Sequence, residues 1–244
     1  MPAELVVPGL YRVLKGYVNA YVLEDGDGLV LVDCGMPKQA NRIAAAVRET
    51  GHQPADVRHI LVTHHHLDHT GSLAALVRET GATVYVHPDD AAIVRGDTMP
   101  PPPNRATLAG RTIGPLLLLI GKKRADPAKV DEELVDGQEL PLAAGMKILH
   151  TPGHTAGQTS FLLPRAGGVL IAGDAARAVR HRIGPPTGAV FGMFTEDLDE
   201  ANRSFRKLAD LEFETAVFGH GKPIRSGAAE AFRRAARRLP APSA

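Results

Sequence analysis

The chain holds a single cysteine, Cys34, in 244 residues. One thiol cannot build an intramolecular disulfide framework, and the scarcity fits a reducing compartment. A surplus of charge is also missing: 28 Lys and Arg stand against 27 Asp and Glu, a formal net charge of +1. No overall field therefore draws in nucleic acid or an anionic membrane. Arg233, Arg234, Arg237 and Arg238 read as the solvated face of a closing helix. No apolar run reaches the ~18 residues of a membrane span, and Met1 to Pro8 has neither a basic n-region nor a long apolar h-region. No internal repeat appears at the ~20–50-residue scale. These absences predict a cytoplasmic protein with a small-molecule substrate, no nucleic-acid partner and no membrane span. What is present is a hydrophobic fraction of 44%, enough for a real core, in a length suited to one α/β domain or two small ones.

Short apolar runs alternate with helical patterns. Strands are predicted at Leu10–Val13, Tyr17–Leu23, Leu29–Val32, His59–Val62, Thr83–Val86, Met146–His150, Thr159–Leu163, Val169–Ala172 and Thr215–Phe218. Asp25-Gly26-Asp27-Gly28 is a hairpin signal. Helices are predicted at Lys38–Thr50, Gly71–Glu79, Pro88–Val94, Leu198–Leu208 and Ala228–Leu239. Residues 95–133 break the alternation with Met99-Pro100-Pro101-Pro102-Pro103-Asn104 and the apolar run Ile113–Ile120, and read as an insertion.

The chain's densest chemistry is Thr63-His64-His65-His66-Leu67-Asp68-His69-Thr70-Gly71, where His64, His66, Asp68 and His69 follow H-x-H-x-D-H on a strand-to-helix loop. In extended chain alternate residues point the same way, so His64 and His66 can share one target while Asp68 and His69 address a second. Neutral imidazole and carboxylate suit zinc, and also iron or manganese. A solvated histidine-rich loop is the alternative, but a tag would be terminal and lack the aspartate. Asp33, His154, Asp174 and His220 also follow predicted strands, as a site at one edge of paired sheets requires. Cys34, beside Asp33, reads as a small buried residue.

Five ordered blocks carry a resemblance: Val32-Asp33-Cys34-Gly35, Thr63 to Gly71, Pro152-Gly153-His154-Thr155, Gly173-Asp174 and Gly219-His220-Gly221. Together they resemble the motifs of the metallo-β-lactamase fold superfamily. The resemblance implies a four-layer αββα sandwich, with residues 1–244 as a single domain. It implies two divalent metal ions, zinc first, with iron or manganese as alternatives. His64, His66 and His154 would hold one; Asp68, His69 and His220 the other; Asp174 would bridge them, and Asp33 would support the metal loop from outside. A bridging aspartate here is similar to glyoxalase II. The implied activity is a binuclear hydrolase in which a hydroxide shared by the ions attacks an ester, thioester or lactone, with Asp68 orienting the nucleophile and handling its proton. The alternatives are phosphodiester hydrolysis, and a single-iron persulfide dioxygenase using His64, His154 and Asp174; a metal-binding scaffold with a closed pocket is the non-enzymatic reading.

Departures from named relatives limit the substrate. Glyoxalase II carries a further C-terminal helical region, whereas this sequence ends soon after His220. Homoserine-lactone lactonases usually place Tyr where Arg177 stands. The 95–133 insertion is expected to be a lid or a homodimer contact. If it faces the metals, Leu117 and Leu118 supply an apolar wall, and Arg177, His181, Phe191, Met193 and Phe194 line the opposite side. That pocket predicts longer-chain acyl esters or thioesters beating short ones in kcat/KM. Substituting Leu117 and Leu118 with Ala should erase the preference at unchanged metal content; an unchanged preference would assign the insertion to oligomerisation.

Overall fold

The computed structural model describes residues 3–14, 16–26, 28–104, 111–112, 124–177 and 194–240. Seven strands form one sheet in sequence order: β1 (Glu4–Val7), β2 (Leu10–Leu14), β3 (Ala20–Asp25), β4 (Gly28–Val32), β5 (Val57–Leu61), β6 (Thr83–Val86) and β7 (Glu132–Glu133). β1 to β4 pair antiparallel, and β4 to β7 pair parallel. The second sheet, in the order β12-β11-β10-β9-β8, contains β8 (Glu139–Leu140), β9 (Met146–His150), β10 (Thr159–Leu163), β11 (Val169–Ile171) and β12 (Thr215–Val217). Both sheets are mixed, since β11 and β12 run parallel while β8 to β11 alternate.

Alternation along the strands builds three apolar layers. Val30, Val32 and Leu61 point from the first sheet towards Met146, Ile148, Phe161 and Ile171 of the second, making the core between the sheets. Leu29, Leu31, Ile60 and Val84 point the other way, under Ile43, Val47, Leu73 and Leu76. Those residues belong to α1 (Ala40–Glu49) and α3 (Leu73–Thr80), separated by the one-turn α2 (Leu67–Thr70), with α4 (Pro88–Arg95) beside them. On the outer face of the second sheet, Leu170, Ala216 and Phe218 pack against Phe205 and Phe232 from α5 (Leu198–Ala209) and α6 (Ala228–Ala236). The result is the αββα sandwich. A strand buried on both faces reads as a continuous apolar run, which is why Leu29-Val30-Leu31-Val32 lacks alternation in sequence.

Three short strands were not evident from periodicity: β1, β7 and β8. Glu132–Glu133, the end of the expected insertion, pairs with Tyr85 and Val86 at the sheet edge, so that end of the segment belongs to the sheet. Charge on a short edge strand discourages pairing with another chain. Leu117, Leu118, His181, Phe191 and Met193 lie outside the described residues. Among the described residues, no helix is long and apolar enough to cross a membrane.

Candidate metal centre

β4 and β5 run parallel, as do β11 and β12, and β9 and β11 are both antiparallel to β10 and so share one direction. The loops following β4, β5, β9, β11 and β12 carry Asp33, the His64 to His69 cluster, His154, Asp174 and His220. Cross-links tie these loops together: Thr159 N–H donates to Thr63 O (2.8 Å), Gly219 N–H to Gly173 O (2.9 Å) and Cys34 N–H to His69 O (2.6 Å).

Two groups of side chains result. His64, His66 and His154 bring one ligand atom each within 4.8 Å of one another, and so do Asp68, His69 and His220. In the first group His66 Nδ1 lies 3.0 Å from His154 Nε2. Asp174 stands between the groups. Its Oδ2 is 3.5 Å from His154 Nε2 and 3.3 Å from His220 Nε2, and its Oδ1 is 3.7 Å from His69 Nε2. Asp68 Oδ2 lies 3.3 Å from His220 Nε2 and 4.0 Å from His69 Nε2. Every one of the seven residues expected as a ligand is therefore brought together here.

The histidines are aimed from behind. Asp33 sits at φ 62°, a left-handed conformation that Asp tolerates better than most residues. It accepts hydrogen bonds from Thr63 N–H (2.9 Å) and from the Thr63 hydroxyl (2.8 Å). His69 Nδ1–H donates to Asp33 Oδ2 at 2.7 Å, which turns Nε2 towards Asp68 and Asp174. His220 Nδ1 is likewise engaged by the Tyr17 carbonyl, and His64 Nδ1 lies 3.0 Å from the Thr63 hydroxyl. Partners on the far ring nitrogen fix the orientation of the near one, as is usual behind metal-binding histidines.

Electrostatics divide the groups. Burial holds His64 and His66 well below the ordinary imidazole pKa and lowers His154 to about 4. These rings are neutral, with lone pairs to offer. Around His69 and His220, burial also opposes charge, but carboxylates outweigh it. Asp33, Asp68 and Asp174 raise His69 to about 9, and Asp174 with Asp68 raises His220 to about 11. Burial would raise the two carboxylates, yet the histidine charges and hydrogen bonds pull Asp68 and Asp174 below the ordinary range. Cys34 is the reverse case: burial, with Asp33 nearby, pushes its thiol well up, as befits a packed rather than reactive residue.

The donors fit cations. His64 Nε2, His69 Nε2 and Asp174 Oδ1 are buried and have no hydrogen-bond partner, although such groups are normally satisfied. Gly219 keeps the space clear, because a Cβ there would lie 2.1 Å from Asp174 Oδ1. Away from this centre, His87, Asp89 and His150 also bring one ligand atom each within 4.8 Å of one another. The two rings stack face to face, 3.9 Å apart at 12°, so their in-plane lone pairs run side by side instead of converging on one ion.

Of the expected pocket residues, Phe194 is 49% exposed and its ring lies 5.9 Å from that of His66. Arg177 is exposed after the Asp174 turn. Sequence reasoning missed Thr63, Tyr17 and Asp90. Tyr17, 69% exposed, sets its ring edge-on to His220 at 5.1 Å. None of the three carried a local signal beyond proximity to a motif or a strand end.

The fold and the site define a class: an αββα protein with histidines and aspartates that could hold metal ions clustered at the strand ends. The metallo-beta-lactamase superfamily model matches residues 13–220, and the chain belongs to that superfamily of metal-dependent hydrolases. It is 28% identical to the probable metallo-hydrolase YflN of Bacillus subtilis, covering 88% of this chain and 85% of that one. It is 25% identical to a hydroxyacylglutathione hydrolase of Idiomarina loihiensis over 83% of this chain and 59% of the relative. BJP-1, a subclass B3 metallo-beta-lactamase of Bradyrhizobium japonicum, superposes with a TM-score of 0.72 at 23% identity, covering 96% of this chain and 89% of that one; this likeness concerns the fold.

Proposed function

We propose that the chain is a binuclear hydrolase of esters, thioesters or lactone-type substrates. The observation that carries this reading is Asp174, whose carboxylate faces His154 on one side and His69 and His220 on the other. His64, His66 and His154 would hold one cation, Asp68, His69 and His220 a second, with Asp174 shared. Zinc is the first expectation for this nitrogen and oxygen donor set. When bound, such a pair supplies a nucleophile at neutral pH and Lewis acidity for the developing oxyanion. A mononuclear iron oxygenase using His64, His154 and Asp174 is the competing reading, and metal content measured with oxygen consumption separates the two.

The chain's own groups supply the rest. Asp68 keeps a 19% exposed side chain beside His220, and its depressed pKa keeps it ionised, ready to orient a water and take its proton. Asp33 and Thr63 hold His69 and His64 in register. Phe194 and Tyr17 offer apolar surface on either side of the centre, beside His66 and His220, which suits a substrate with an apolar acyl part. The name of the Idiomarina relative adds thioesters to that expectation. A panel of thioester, lactone and phosphodiester substrates, run on metal-analysed protein, tests the reading. Turnover of the first two that disappears on chelation supports it; oxygen consumption with one iron per chain, or phosphodiesterase activity alone, overturns it.

Metal loading also has a pH signature. At pH 7 the carboxylates keep protons on His69, raised to about 9, and on His220, raised to about 11. A cation taken by that group displaces them, because ligation requires the neutral ring. Loading at pH 7 should release about two protons from this group, and its affinity should rise with pH, more steeply up to about 9 and less steeply from there to about 11. His154, at about 4, and the lowered His64 and His66 are already neutral there, so affinity at their group should be flat from about pH 6 to 8. Calorimetry in buffers of different ionisation enthalpy measures this. Release of well under one proton would contradict the charge assignment.

A further inference from the structure

We propose that Asp90 is a positioning residue that sets the separation of the two loops forming the three-histidine group, and through it the metal affinity of that group. The proposal rests on the binuclear reading above. His64 and His66 arrive on the loop after β5 of the first sheet; His154 arrives on the loop after β9 of the second. A three-histidine cage assembled from two sheets needs something to fix the gap between its halves.

Asp90 lies in the first turn of α4, where an acidic residue ordinarily faces solvent and the helix N-terminus. Its side chain instead turns inward and is 1% exposed. Oδ2 accepts from His65 N–H at 2.8 Å and from the Thr155 hydroxyl at 2.9 Å. Oδ1 accepts from Gly157 N–H at 3.0 Å, and His65 Nδ1 lies 3.1 Å from it. His65 is the residue between the two histidines of the first loop, and Thr155 follows His154 on the second. One carboxylate thus grips both halves of the cage within one residue of every histidine in it. The fit is tight: a Cβ on Gly157 would lie 2.6 Å from Asp90 Cγ, which is why a glycine stands there. Both oxygens face backbone N–H groups. An asparagine in either orientation would therefore press its NH2 against one of them, and the loops would have to part.

The effect should fall on one metal position. His69 is braced by Asp33, and His220 by the Tyr17 carbonyl; neither touches Asp90. Zinc affinity is measured by competition with a chromophoric chelator on wild type, Asp90→Asn, Thr155→Val and a reference variant, His66→Ala, which identifies the step belonging to the three-histidine group. Asp90→Asn should weaken that step by about 10–100-fold, leaving the other within about threefold. Thr155→Val removes one of the grips with little change of shape and should weaken the same step by about 2–10-fold. Should Asp90→Asn fail to fold, Thr155→Val decides alone. Two wild-type steps with no selective loss in the folded variants would overturn the role of Asp90 and leave the binuclear reading intact. A wild type that binds only one zinc would overturn both.

Discussion

Asp68→Asn is expected to lower kcat by about 10²–10⁴-fold, the range typical of losing a positioned acid or base. The substitution keeps the size of the side chain but can neither carry the charge nor accept the proton. Among the carboxylates facing the histidines Asp68 is the one with a partly exposed side chain, 19% against 5% for Asp174, and so the one placed to meet solvent and substrate. Folding should hardly change. His220 and His69 keep Asp174, and His69 also keeps Asp33. A loss of roughly 1 kcal/mol for a partly exposed pair corresponds to about 2–4 °C in Tm at this chain length. Steady-state kinetics and a melting curve on the same preparation measure both quantities. A variant that unfolds, or one that turns over at the wild-type rate, would remove Asp68 from the chemistry.

Asp174→Ala should do more. This carboxylate faces both groups and is the nearest counter-charge shared by His154 and His220. Without it at least one metal should be lost, and activity should fall beyond the ~10–100-fold that supporting residues behind metal ligands cost. Added metal should not restore it if the missing group is, as proposed, itself a ligand and not the support of one. Proton release on loading should also shrink, because Asp174 is among the carboxylates that raise His69 and His220. A variant that keeps two metals and full turnover would show that the groups work separately.

Much of this centre is legible in the sequence. The H-x-H-x-D-H spacing and the strand-end positions of Asp33, His154, Asp174 and His220 follow from local pattern, and local pattern survives folding when strands are buried on both faces. The sheets read through for the same reason. What stayed hidden depends on contacts between distant segments. Asp90 reads as an ordinary first-turn acid until Thr155 and Gly157, 65 and 67 residues further on, come to meet it. The strands β7 and β8 span two residues each, too short to show a period, and Glu132–Glu133 is charged, as edge strands often are. Tyr17 carries no motif; it matters because its loop reaches His220 from 203 residues away.

The central claim is that the two groups of ligands act together through Asp174. Metal stoichiometry against activity tests it most directly: the apo protein is titrated with zinc, and bound metal and turnover are followed on the same samples. The account predicts two zinc ions per chain, with full turnover reached only as the second is taken up. Full turnover at one metal per chain would contradict it.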